Sequence, residues 1–66
     1  MNNNPSMIIF DKSKLTMSEE KRIKSPQIEG IEVHDNGYNV IVYDKEFEHP
    51  EFMCSMLQLL YKCIKR

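Results

Sequence analysis

The dipeptide Asn36-Gly37 does most to narrow what this chain can become. A two-residue type I′ turn needs positive φ at both central positions, which Asn tolerates and Gly adopts freely. Residues on either side alternate between apolar and polar, so the stretch predicts a β-hairpin turning at His34-Asp35-Asn36-Gly37-Tyr38. That register opposes Val33 to Val40 and Ile31 to Val42, with Tyr38 on the same face. A slip of one residue would set Val33 against Asn39 and scatter the apolar set. The second face carries Glu32, His34 and Asn39, but also Ile41 and Tyr43. Tyr43 falls opposite Gly30, where a ring can cover bare backbone. A half-apolar face of this kind needs cover over part of its area.

A helix follows. Pro50 suits the first helical position, because its missing N–H would have no partner there and its φ is already helical. Glu51 lies at the positive end of the helix dipole, and Lys62, Lys65 and Arg66 at the negative end. His49 takes the N-cap position without being a preferred capping type. The expected helix runs from Pro50 to the C-terminus, about four turns. At about 100° per residue, Met53, Met56, Leu57, Leu60 and Ile64 form one stripe, flanked by Phe52, Leu59 and Cys63 on one side and by Tyr61 on the other. The apolar arc is then roughly 220° wide, against little more than about 100° for a helix lying on one sheet. The surplus assigns Phe52, Leu59 and Cys63 to a contact with a second copy or another protein. The alternative is that the N-terminal segment covers them.

With 66 residues, the chain is one domain near the lower limit of independent stability, where disulfides, a metal or a partner subunit usually help. Residues 1–6, Met-Asn-Asn-Asn-Pro-Ser, lack any apolar period and read as a disordered arm, leaving 7–66 as the domain. They carry neither the basic start nor the apolar run of a signal peptide. The longest wholly apolar run, Met7-Ile8-Ile9-Phe10, is far too short to span a bilayer. A soluble, cytoplasmic protein with no membrane partner is the expectation. That run predicts a strand buried on both faces, pairing either with the hairpin as a third strand or with another chain. Thr16-Met17-Ser18-Glu19 fits a capping box, with Thr16 as cap and Glu19 reaching back. It predicts a short helix over Met17 to Lys24, stopped at Ser25-Pro26, that offers Leu15, Met17 and Ile23 to a core. A flexible connector is the alternative.

The charges, net −1 in total, are unevenly spread. Residues 1–27 are net +2, residues 28–51 set seven carboxylates against one lysine for net −6, and residues 52–66 are net +3. Solvated faces that keep a small domain soluble account for this pattern. The near-neutral total argues for neither nucleic acid nor membrane. Lys21, Arg22 and Lys24, taken with Lys62, Lys65 and Arg66, would contact phosphates if the two clusters lay side by side. No helix-turn-helix pattern follows either cluster, and the hairpin that would serve as a wing is acidic. Nucleic-acid binding is therefore the second choice. An acidic hairpin could also mimic a phosphate backbone, but the charge run is too short to prefer that over solvation.

Residues for catalysis or cofactor binding are scarce. Cys54 and Cys63 are nine residues apart, on opposite sides of the expected helix, so they cannot meet, and there is no CxxC. Zinc would need converging thiolates and imidazoles, yet His34 sits at the hairpin tip and His49 at the helix start. Two buried thiols in a reducing compartment fit better, with Cys54 the nearer to the polar boundary. A nucleophile, a base and an orienting group have little room in so small a sheet. No catalytic, cofactor or metal residue is assigned.

The expected fold is α+β: a small antiparallel sheet of hairpin plus N-terminal strand, packed by one C-terminal amphipathic helix. Met53, Met56, Leu57, Leu60 and Ile64 would face Ile31, Val33, Tyr38, Val40 and Val42. The expected function is non-enzymatic binding to another protein, to a second copy as a homodimer, or to both. The absence of alanine and tryptophan, with Asn, Ile, Lys and Glu plentiful, resembles AT-rich coding and suggests a phage- or mobile-element-type regulator or inhibitor of a host protein.

Overall fold

The central strand of the sheet is formed by the apolar stretch after the turn. A computed structural model describes residues 6–65. In chain order these form β1 (Met7–Asp11), a 3-10 turn (Lys12–Lys14), α1 (Met17–Lys24), β2 (Ile31–Asp35), β3 (Asn39–Asp44), α2 (Pro50–Leu59) and a second 3-10 turn (Tyr61–Cys63). The strands lie in the order β1-β3-β2, and β3 pairs antiparallel with both neighbours. The fold is α+β, and the N-terminal run does join the hairpin as a third strand. The arm expected over residues 1–6 falls outside the described residues except for Ser6, whose carbonyl accepts from Asp44 N at 2.8 Å.

The hairpin register differs from the expected one by two residues. Val33 pairs with Val42, Ile31 with Asp44 and Asp35 with Val40, so the loop holds four residues. Gly37 has φ +91° but Asn36 does not take positive φ, so no type I′ turn forms. Side chains close the loop instead: Asp35 Oδ1 accepts from Gly37 N at 2.8 Å, and Asn36 Oδ1 accepts from Tyr38 N and Asn39 N at 2.9 and 2.8 Å. Such Asx turns compete with a tight backbone turn wherever Asp and Asn are adjacent. Tyr38 lies in this loop and is 80% exposed, so it is not a core residue. Tyr43 pairs with Glu32, so it is not opposite Gly30. Because side chains alternate with period two, a shift of two residues leaves Ile31, Val33, Val40 and Val42 on one face.

α2 is shorter than expected. It stops at Leu59, Leu60 leaves the helical region (φ −119°, ψ 30°), and a 3-10 turn carries the chain into an extended Ile64. Ile64 bridges Phe10 across the outer edge of β1, and Lys65 N donates to Ile9 O at 2.8 Å. The break answers the surplus apolar arc. A continued helix could bury Leu60 and Cys63, but its backbone could not offer Ile64 and Lys65 as an extended segment to the β1 edge. Broken, the segment buries Leu60 and Cys63, packs Ile64 against them, and gives an edge carbonyl its partner.

The core is one cluster of Ile8, Phe10, Ile23, Val40, Val42, Met53, Met56, Leu60 and Cys63, with Leu15, Ile31, Val33, Phe52, Leu57 and Ile64 packed around it. α1 is held by the capping box: Glu19 N donates to Thr16 Oγ1 at 3.2 Å and Thr16 N to Glu19 Oε1 at 2.8 Å. Ile23 is its buried residue, while Met17 is exposed and touches no core. Asp35 joins the pieces at one end, its Oδ2 accepting from Lys12 at 2.7 Å and Lys24 at 2.6 Å. These two lysines, with the Gly37 N–H, hold its carboxyl well below the usual carboxylate range. At the other end the buried Asp44 accepts from Glu48 N at 3.2 Å and His49 N at 2.9 Å. His49 has no side-chain cap bond. Its Nε2 donates to Glu29 O at 2.7 Å, and the ring lies over Gly30, whose φ of +93° and close neighbour both favour glycine.

Candidate interaction surface

Both helices contribute their buried residues to the face of the sheet that carries Ile8, Phe10, Val40 and Val42. The other face therefore bears the alternate residues of the same strands. β1 and β3 are apolar at both parities from residues 7 to 10 and 40 to 43, a pattern suited to a sheet covered on two sides. Among the described residues the helices form one layer, on one side of the sheet. Met7 then opposes Tyr43 and Ile9 opposes Ile41 on the uncovered face. Met7 is 53% and Tyr43 38% exposed, while Ile9 and Ile41 shelter each other and are half-buried. β1 was expected to be buried on both faces; it is buried on one.

Along β2 this patch is bordered by Glu32, which accepts from Lys45 at 3.0 Å and meets His34 Nε2 at 3.1 Å. Those two contacts, Lys45 foremost, lower the Glu32 carboxyl below its ordinary value. At the far corner Asp11 is lowered by the Ser13 hydroxyl and then by the Ser13 N–H. The surface is thus an apolar centre of four side chains with a charged border of both signs. The hydrophobic pattern held this information in the unbroken apolar runs, since one helical layer cannot cover both sides of them.

The residues expected to form the interface divide. Leu59 is 59% exposed on α2, with Phe52 on the same helical face but half-buried against the core. Cys63 does not belong with them. It is buried in the core, where its Sγ donates to Lys14 O at 3.3 Å and approaches Glu19 Oε1 at 3.8 Å. Burial, reinforced by the Glu19 carboxylate, pushes its thiol pKa up, which disfavours the reactive thiolate. Cys54 is half-buried, and the two cysteines form no disulfide.

Among the basic residues, Lys24 is engaged by Glu20 at 2.9 Å and by Asp35. Lys21 and Arg22 are exposed on α1, Lys62 and Lys65 are exposed at the C-terminal turn, and Arg66 lies outside the described residues. Cys63 beside Glu19 places α1 and the C-terminal turn on neighbouring ground, with Glu19 and Glu20 interleaved among the cations. Among the described residues no group of three His, Cys, Asp or Glu side chains could hold a metal ion, and no helix is long and apolar enough to cross a membrane. His34 and His49 are at opposite ends of the hairpin, each committed to local bonds.

No protein-family model matches the chain, and neither the curated proteins nor the solved structures gave a match.

Proposed function

We propose that this chain is a small non-enzymatic protein-interaction module of the regulator or inhibitor kind, which docks a partner protein on the open face of its sheet. The observation that carries the reading is the cross-strand cluster of Met7, Ile9, Ile41 and Tyr43 on the face that receives neither helix. Apolar clusters left uncovered in a small domain mark sites of contact. The partner it fits presents an apolar ridge flanked by charges of both signs, matching Glu32, Lys45, His34 and Asp11. Leu59 and the edge of Phe52 on α2 form a smaller apolar spot on another side of the molecule. The basic residues suit phosphate less well, because Lys24 already has two carboxylate partners.

The test is affinity capture of the tagged chain from native lysate, with nuclease, alongside Ile41→Lys. A partner protein should be retained through nuclease by the wild type, at near-stoichiometric amount, and lost by the variant. Loss of every partner on nuclease treatment, with Ile41→Lys behaving as wild type, would instead assign the activity to Lys21, Arg22, Lys62 and Lys65 on nucleic acid.

A further inference from the structure

The two edges of the sheet are treated differently. The outer edge of β1 is occupied by the chain's own Ile64 and Lys65. Among the described residues, no segment pairs with the outer edge of β2. Lys45 N donates to Gly30 O at 3.0 Å and Asn36 N to Asn39 O at 3.2 Å, so the even-numbered residues of β2 bond inward to β3. Ile31, Val33 and Asp35 therefore turn their backbone groups away from the sheet. Of these, the Ile31 N–H is used by Ile28 O at 3.0 Å. Beside this edge runs a shallow groove lined by Lys24, Ile28, Ile31 and Val33. An open strand edge of this kind is a template for another strand.

From this geometry we infer that β2 pairs antiparallel with β2 of a second copy, centred on Val33, to make one six-stranded sheet. The sequence of β2, Ile31-Glu32-Val33-His34-Asp35, is self-complementary in that register alone. With Val33 opposite the partner's Val33, Glu32 stands opposite the partner's His34, and the twofold axis repeats the pair. Glu32 and His34 then occupy the non-hydrogen-bonded positions, where side chains across a ladder lie closest. Centring on Glu32 would oppose two carboxylates. Centring on His34 would set Val33 against the partner's Asp35. In the favoured register each Val33 N–H donates to the other Val33 carbonyl, and each Asp35 N–H to the opposite Ile31 carbonyl. The two Val33 side chains meet on the helix side of the sheet, over the groove formed by Ile28 and Ile31.

This inference stands on the edge itself and does not need the docking function, but it adds to it. The open face of one copy is on the order of 250 Å², taking strand spacing and rise at their usual values. A standard interface takes about 800 Å² per partner. Joining two sheets edge to edge sets both apolar patches on one face of a single sheet, with the Glu32 and His34 side chains of the two β2 strands between them. Self-association moves from the α2 flank, where the sequence placed it, to β2.

The experiment is light scattering and sedimentation of the purified full chain from micromolar to millimolar concentration. The wild type should reach twice the mass of one chain. His34→Glu, which sets a carboxylate against the partner's Glu32 at two symmetric places, should weaken the association at least about tenfold. The double variant Glu32→His with His34→Glu again sets a histidine opposite each carboxylate and should recover the dimer. Val33→Pro removes an outward N–H without touching the inner ladder and should give a monomer with unchanged circular dichroism. A wild type that stays monomeric throughout overturns the inference. So does a dimer indifferent to His34→Glu and abolished by Leu59→Asp.

Discussion

Phe10→Ala is expected to remove about 3–5 kcal/mol of folding stability. A 66-residue chain has roughly 3–10 kcal/mol in total, at the usual value per residue, so the variant should lose about a third or more of its stability and unfold outright if the total lies at the low end. Phe10 is fully buried, pairs with Val40, and sits under the returning C-terminal segment through its bridge to Ile64. Truncation opens a cavity among core side chains that come from strands and both helices. With so few layers, neither helix can close on the gap without leaving the other. Urea denaturation followed by circular dichroism measures the loss. Phe10→Leu, which keeps most of the volume, should recover most of it, whereas Phe10→Leu behaving like Phe10→Ala would mean that the ring is not packed as described.

Asp44→Ala should cost about 3 kcal/mol, from two hydrogen bonds to a charged acceptor toward the low end of their range. The side chain is buried at the end of β3, and its two oxygens accept from the consecutive N–H groups of Glu48 and His49. His49 contributes no side-chain cap to α2, so this carboxylate fixes where the helix begins. The same turn holds Phe47 at φ 57°, a left-handed conformation that a bulky residue adopts only when its neighbours impose it. Asp44→Asn keeps one acceptor and should lose about half as much. Thermal melts of the three proteins give the ranking directly. Equal stability of wild type and Asp44→Ala would contradict the anchoring role.

Local chemistry in the sequence identified much of this fold. The capping box at Thr16 and Glu19 predicts α1, and Pro50 marks the start of α2. The β-hairpin was legible because its apolar alternation survives a shift of two residues, and for the same reason the register was not. The choice between a two-residue turn and a loop closed by Asp35 and Asn36 side chains is a small energy difference among local hydrogen bonds. The end of α2 was not legible, because the break depends on the β1 edge, an acceptor that exists only once the sheet is built. The same tertiary fact moved Cys63 from an expected interface into the core.

The candidate site was only half legible. Ile41 and Tyr43 mark the second hairpin face as part apolar from sequence alone. Met7 and Ile9 could be placed beside them only after β1 was known to lie against β3. No property of a four-residue apolar run says which of its faces will be covered.

The central claim is that the sheet is buried on one side and presents the other. The most direct test compares Ile41→Lys with Val42→Lys, neighbours on β3 that point to opposite faces. Val42→Lys places a charge in the core and should abolish the cooperative thermal transition. Ile41→Lys should keep the wild-type circular dichroism spectrum and melt within a few degrees of it. If Ile41→Lys unfolds the chain as Val42→Lys does, the face is covered in solution and is not the docking surface.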